Sequence, residues 1–337
     1  MKRIICLFLT TALLLTLTAC TPKSAGVDIF AMDTYMSLVA YGKGAQDALN
    51  DSVQAINALE AEISRTREGS DVDTLNKTGS WTGSADGTDA TADILAQALQ
   101  YSAETNGLFD VTIAPLVLLW NITGDTPYVP TQEEIDALLP LVGSNHLRVS
   151  GNSATLDDGC AVDLGGIGKG YASDLVRLLY NFHNVKSGTV SLGGNVYVCG
   201  SKPDGKPWMV GIQDPNGDDC AVYVSLTDAF VVTSGGYQRY FTAPDGTVYQ
   251  HILDPRTGAP AQSDLTSVSI ITRDSGTRAD AYSTALYVMG EQDAIAFWRA
   301  HGDFDMILIT ADGRVLTTPD LTITEPEGSN YDFQVIS

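Results

Sequence analysis

Three oxygen-bearing side chains in "TRADAYSTAL", residues 277–286, stand at helical spacing. Asp280, Ser283 and Thr284 lie at i, i+3 and i+4 and so share one helix face. A carboxylate beside two hydroxyls is a hard-oxygen donor set, suited to Mg²⁺. The competing explanation is an acid near a helix start that only complements the helix dipole.

A second candidate is "AVDLGGIGKGYASD", residues 161–174. It is neither a P-loop nor a dinucleotide turn. Gly168-Lys169 is followed by Gly170 rather than Ser or Thr, and Tyr171 stands where a third fingerprint glycine belongs. Asp163 ends a predicted strand, and Gly165 to Gly170 lead into a predicted helix. Such a helix start offers free N–H groups to phosphate. Lys169 adds a point charge, and the carbonyls of a glycine turn can ligate a hard cation. A plain turn with a solvated lysine would have the same composition. His251 stands just before the turn "DPRTGAP", residues 254–260. A lone histidine is more often structural, and the motif alone specifies no reaction. The run "NGLFDVTIAPLVLLW", residues 106–120, is a turn followed by an apolar stretch that suits either core or a wall for a flat ring system.

The elements that must position these residues are legible from periodicity. Leu49, Val53, Ile56, Leu59 and Ile63 predict a helix over 44–64. Further helices are expected over 88–105, from the capping box "TQEE" at 131–134 to Leu139, after the glycine loop, and over 277–289 and 291–301. The helix after the loop carries Leu175, Leu178, Leu179 and Phe182 on one face, the expected buried one. β-Branched runs predict strands at 35–41, 146–149, 188–192, 195–199, 207–212, 220–225, 229–233, 247–252, 266–272, 305–310 and 313–317. Strands and helices do not alternate strictly. The fold class is therefore α+β, with mostly antiparallel sheets and flanking helices rather than a doubly wound parallel sheet. Three apolar strands end in paired glycines, "VDLGGIG", "VSLGGNV" and "VVTSGGY", and such ends permit close backbone approach to a ligand.

The N-terminus "MKRIICLFLTTALLLTLTAC" has a basic start, an apolar stretch and then Leu17-Thr18-Ala19-Cys20, a lipobox pattern. Residues 1–19 are thus expected to be a lipoprotein signal peptide, with Cys20 acylated and 20–28 a tether. Residues 29–323 form the main domain, and 324–337 a polar tail. The chain has 19 basic and 41 acidic residues, a net charge of −22. So acidic a surface argues against nucleic acid as a partner. Cys160, Cys199 and Cys220 make an odd number with no CxxC or zinc spacing, and the four histidines show no metal-ligand spacing.

In their order along the chain, "AMDTYMS", "SDVDTLN", "GLFDVTIAPLVLLW", "VDLGGIGKGYASD", "SLGGN", "VVTSGGYQRYF", "HILDPRTGAP" and "ADAYSTALYVMG" resemble the ApbE family of FAD:protein FMN transferases. The resemblance implies an FAD/Mg²⁺ site in a central cleft. It also implies Mg²⁺-dependent cleavage of the FAD pyrophosphate, with FMN passed to a Ser or Thr hydroxyl and AMP released. The acceptor would be a membrane redox subunit or an extracytosolic flavoprotein. It places Mg²⁺ among Asp280, Thr284 and the carbonyl of Gly166, with Ser283 contributing. Flavin and adenine contacts fall to Met32, Leu108, Phe109, Asp110, Asp163 and Lys169, and His251 to Leu253 line the site. His251 is implied as an assisting residue. Asp33 stands where the family usually has glycine, and Thr66 where some relatives carry an aromatic flavin contact. The location implied is the extracytoplasmic face of the membrane, with the lipid bilayer as partner through Cys20. An FAD pyrophosphatase using water, or a flavin-binding lipoprotein without turnover, would share the same site.

Overall fold

The computed structural model describes residues 23–84 and 89–336. The expected leader and Cys20 lie outside the described residues. The framework is one nine-stranded sheet. Its strands, in spatial order, are β1 (Ser24–Ala31), β2 (Thr34–Tyr41), β6 (Ser187–Leu192), β7 (Asn195–Gly200), β10 (Ala229–Ser234), β13 (Leu265–Thr272), β14 (Asp305–Thr310), β15 (Arg314–Thr317) and β17 (Asp332–Val335). Every neighbouring pair is antiparallel except β15 with β17. Smaller sheets are β3 (Ser80–Thr82), β5 (Ser153–Leu156) and β4 (Leu147–Ser150); β16 (Ile323–Thr324), β9 (Cys220–Leu226) and β8 (Trp208–Gln213); and β11 (Tyr240–Thr242) with β12 (Val248–Gln250).

The central strands are apolar on both faces because both faces are covered. On one side Tyr197, Phe230, Val232, Ile270, Met306 and Leu308 pack under helices. These include α1 (Ala45–Ile63), α3 (Ala90–Glu104), α6 (Gly168–Phe182), α7 (Gly276–Met289) and α8 (Glu291–His301). On the other, Val198, Val231, Ile271, Ile307 and Ile309 meet Val210, Ile212, Val222 and Val224 of the β8–β9 sheet. This alternation within one strand is the period-2 signature of a sheet sandwiched between layers. A third cluster holds α4 (Ala114–Trp120) and α5 (Gln132–Leu138) against the 249–260 turn through Leu116, Trp120, Ile135 and Leu253. The remaining helix, α2 (Asp71–Thr78), is capped by Ser70.

The α+β class and the antiparallel sheets expected from the sequence are present, and the β-branched runs fall on strands, but the strand expected to end at Asp163 is irregular backbone, residues 161–164 lying outside every sheet. Three further expectations need correction. Residues 24–28, assigned to the tether, form the first part of β1, and their backbone pairs with β2. The polar tail contains β17, which adds to the sheet edge by backbone pairing to β15. The helix after the glycine loop buries Ala172, Ser173, Val176 and Tyr180 instead of the leucine stripe, leaving Leu178 and Phe182 exposed.

Candidate active site

The start of α6 and the start of α7 are joined by two carboxylates working in opposite directions. Asp174 on α6 accepts from the backbone N–H groups of Gly276 (3.0 Å) and Thr277 (2.9 Å) and from the hydroxyls of Ser275 and Thr277. Asp280 on α7 accepts from the N–H of Gly170 at 2.8 Å. Each answers helix-start amides that have no partner within their own helix. Glycines allow the close crossing: a methyl at Gly170 would stand 2.7 Å from Asp280 Cβ, and one at Gly276 would stand 2.9 Å from the Gly170 oxygen.

Asp280 is only 4% exposed, yet among the described residues its Oδ1 takes no hydrogen bond. One helical turn on, Ser283 donates to the Asp280 carbonyl (2.8 Å) and shares a 2.8 Å hydrogen bond with Ser234 at the end of β10. The Ser234 hydroxyl is also 3.4 Å from Thr284 Oγ1. Ser283 is buried, with its proton committed to the Asp280 carbonyl, one lone pair taken by Ser234 and one lone pair left for the ligand role expected from the resemblance. The glycine loop closes the arrangement. A methyl at Gly166 would lie 3.7 Å from Thr284 Oγ1 and 3.3 Å from the Phe109 ring. The structure thus brings Asp280, Thr284 and Gly166 together under Phe109. A carboxylate oxygen that takes no hydrogen bond and opens to solvent from a largely buried side chain, a hydroxyl and an unshielded backbone form an all-oxygen set, and this fits a hard divalent cation.

The irregular segment entering the loop is held from residues distant in sequence. Asn76 grips Val162 on both backbone groups, at 2.9 and 2.7 Å. Asp163 turns one oxygen back to the Gly165 N–H (2.7 Å) and receives Arg65 Nε on the other. Lys169, in the first turn of α6, reaches the Gly165 carbonyl at 3.4 Å. The Gly168 N–H donates to the Leu164 carbonyl and the Gly170 N–H to Asp280, so Lys169 is the group here suited to phosphate oxygens.

Met32 and Asp33 make the two-residue turn between β1 and β2, with φ of 50° and 58°. Positive φ at both positions is the type I′ hairpin requirement, which a glycine at position 33 would meet without strain. Asp33 instead pairs with Arg239 Nη1 at 2.8 Å, and the Met32 N–H is held by Glu60 at 2.7 Å. Asp33, Arg239, Tyr240 and Ile122–Gly124 line an open depression of about 330 Å³. The Arg239 carbonyl lies 3.0 Å from His251 Nδ1, which must therefore carry the ring proton and leave the Nε2 lone pair free. Burial pushes the His251 pKa down to about 4, and the charges of Arg239 and Lys169 add to the shift, so the ring is neutral at pH 7.

Leu253 is buried with Leu116 and Trp120, forming wall rather than polar contact. Asp110, expected as a cofactor contact, is committed elsewhere. Its Oδ1 takes the Thr112 N–H (2.9 Å) and hydroxyl (2.7 Å), capping the short turn that presents Leu108 and Phe109.

The family model of the ApbE family matches residues 32–308. The chain belongs to the ApbE family. It is 37% identical over 240 residues to the FAD:protein FMN transferase of Treponema pallidum, covering 66% of each chain. It is 35% identical over 235 residues to that of Escherichia coli K12, covering 67% of this chain and 66% of that one. Among solved structures, the ApbE protein of Thermotoga maritima superposes with a TM-score of 0.79 at 30% identity, over 90% of this chain and 97% of that one. The apo Pseudomonas stutzeri flavinyl transferase ApbE gives 0.76 at 28% identity, over 91% and 95%. Within the ApbE fold, the sequence reading missed Arg65, Asn76, Glu60, Ser234 and Arg239. Asn76, Ser234 and Arg239 sit inside the quoted motifs, which was the available signal. Arg65 and Glu60 carry no local pattern.

Proposed function

We propose that this chain is an FAD:protein FMN transferase that moves FMN from FAD onto a Ser or Thr hydroxyl of an acceptor flavoprotein and releases AMP. The observation that carries the metal assignment is the unpartnered Oδ1 of buried Asp280 beside Thr284 and Gly166. Asp280, Thr284 and the Gly166 carbonyl would hold Mg²⁺, which when bound would neutralise charge on the pyrophosphate. Lys169 holds the same anionic group. Phe109 and Leu108 offer an apolar surface to a ring system.

In this reading the acceptor hydroxyl attacks the phosphorus on the FMN side, its proton leaves, and the bond to AMP breaks. His251 presents a free Nε2 to that hydroxyl. A pKa near 4 makes it a weak base at neutral pH, so its contribution is mainly orientation. The lipobox ending in Cys20 supports a lipid-anchored enzyme on the extracytoplasmic face of the membrane, acting on membrane redox subunits or extracytosolic flavoproteins.

Incubation with FAD, Mg²⁺ and an acceptor domain should add one FMN to the acceptor by mass spectrometry. Free FMN and AMP formed at the same rate with and without acceptor would instead make the chain a pyrophosphatase. FAD binding without turnover under any condition would leave only a flavin carrier.

A further inference from the structure

The active-site loop starts α6, and α6 ends at the opposite pole of the molecule. There the apolar stripe that fails to enter the core comes to the surface. Phe182 is 76% exposed and Leu178, one turn earlier, 59%. Backbone pairing gathers the chain's entry point at this same pole. Ser24 pairs with Tyr41, Tyr41 with Ser187, and Ser187 with Gly200, while the Gly42 N–H donates to the Lys23 carbonyl at 3.0 Å. A methyl at Gly44 would contact His183, so the start of α1 abuts the end of α6.

The lysines collect here too. Of the seven after the leader (23, 43, 77, 169, 186, 202 and 206), Lys23, Lys43 and Lys186 stand at this pole, and Lys202 and Lys206 lie on the loop leaving Gly200. Five lysines against Asp47, Asp51, Asp204 and Asp228 leave this pole near neutral in a chain of net charge −22. Among the acids here, Asp51 bonds to His183 and Asp228 to the Gly200 N–H, both keeping their charge, while Asp204 sits 3.7 Å from Lys206. Asp47 remains in the first turn of α1.

We propose that this pole is a docking face for an anionic phospholipid bilayer, with Phe182 and Leu178 in the interface and the lysines over the headgroups. Exposed aromatic and aliphatic side chains ringed by lysine have the chemistry of an interfacial contact. Only Thr21, Pro22 and Lys23 separate Cys20 from β1, so an acyl chain there would hold this pole against the membrane. In that respect the inference rests on the lipid-anchor reading. The eight residues of β1 span about 25 Å at about 3.3 Å each. The Met32–Asp33 turn and the flavin site would then face away from the bilayer, toward acceptor domains that project from it.

The test uses the full chain recovered from membranes, placed on vesicles of phosphatidylcholine and phosphatidylglycerol at 7:3. A bimane on F182C should be quenched by nitroxide-labelled lipid, and one on Y240C should not. The double variants F182D/L178D and K43E/K186E should each lower vesicle affinity of non-acylated protein at least tenfold, with a steep salt dependence in wild type. An acylated chain that stays on vesicles with residue 182 unquenched would overturn the face and leave the anchor. If mass spectrometry finds Cys20 unmodified, the anchor reading fails. The face then stands only if wild-type protein still sediments with the anionic vesicles and F182D/L178D does not. A dimer that F182D/L178D turns into a monomer, with vesicle binding unchanged, would make the face a self-association surface and overturn the proposal.

Discussion

Gly170→Ala decides between two opposite expectations. Gly170 lies in the first turn of α6, outside the positive-φ region, so intrinsic helix propensity alone favours alanine by about 1 kcal/mol. The packing opposes it. The new methyl would sit 2.7 Å from Asp280 Cβ and 2.8 Å from the Gly276 carbonyl carbon. Carbon atoms in contact prefer about 3.5–4.0 Å, so α6 and α7 must part by roughly 1 Å. Both neighbours are stiff: one is backbone, and the other is the first atom of a side chain whose carboxylate is tied to the Gly170 N–H. Overpacking of this kind costs about 1–3 kcal/mol; with two stiff neighbours at 2.7–2.8 Å the upper half of that range applies, and set against the propensity gain it leaves a net destabilisation of roughly 1–2 kcal/mol. The same displacement moves Asp280 relative to Gly166 and Thr284. A shift of about 1 Å in a positioning group costs on the order of 100-fold in rate. Urea denaturation and FMN transfer to acceptor, measured on one preparation, read both numbers. A variant as stable as wild type or more so, with turnover within about threefold, would show that the helix crossing does not set the metal site.

Asp280→Asn keeps an acceptor for the Gly170 N–H while removing the charge, so stability should change by less than about 1 kcal/mol while Mg²⁺-dependent turnover falls at least about 100-fold. Parallel loss of fold and activity would mean that Asp280 is only a cap. Asp174→Ala removes four hydrogen bonds from the start of α7 and should cost roughly 2 kcal/mol, read by thermal unfolding. Asp33→Gly relieves a positive φ but gives up an exposed ion pair with Arg239, so stability should stay level or rise by up to about 1 kcal/mol; a clear loss would mean that the ion pair outweighs the strain. For His251 the folded pKa of about 4 lies below the ordinary value of 6.5. Between these values the unfolded chain binds a proton that the folded chain does not, so this contribution is full above about pH 6.5 and is lost as pH falls through 4. The stability gap between wild type and His251→Asn should therefore shrink over that window in urea titrations; a gap that does not change with pH would contradict the buried neutral ring.

The sheet was legible because its central strands are apolar on both faces, so runs such as "AFVVTS" and "LTSVSIIT" announce themselves without alternation. β17 was not, because "DFQV" joins through its backbone at an edge and buries little. The α6 error has a similar cause. Its sequence holds two stripes at helical spacing, and hydrophobicity favours the leucines. The crossing selects the other stripe, because small residues such as Gly170 and Ser173 let α7 approach where leucine could not. Asp280, Thr284, Gly166 and Lys169 were legible as chemistry. The residues that aim them, Arg65, Asn76 and Ser234, were not, since each acts across a long separation that only the tertiary fold closes.

That division explains how the site can be both buried and reactive. No single element supplies its donors: α7 gives Asp280 and Thr284, the loop before α6 gives a backbone, and β10 gives the serine that sets the hydroxyls. Their mutual distances are fixed by the reciprocal caps from Asp174 and Asp280, two carboxylates doing like jobs at neighbouring helix starts. They differ in what remains afterwards. Asp174 spends both oxygens on the start of α7, whereas Asp280 spends one and keeps the other in a space with little solvent. A carboxylate oxygen that takes no protein hydrogen bond and is open to only a little solvent is a ready ligand for a hard cation. Metal-free protein should therefore gain stability on Mg²⁺ addition, and that gain should vanish in Asp280→Asn but persist, with a displaced midpoint, in Asp174→Ala. Equal stabilisation of all three proteins by Mg²⁺ would place the ion elsewhere.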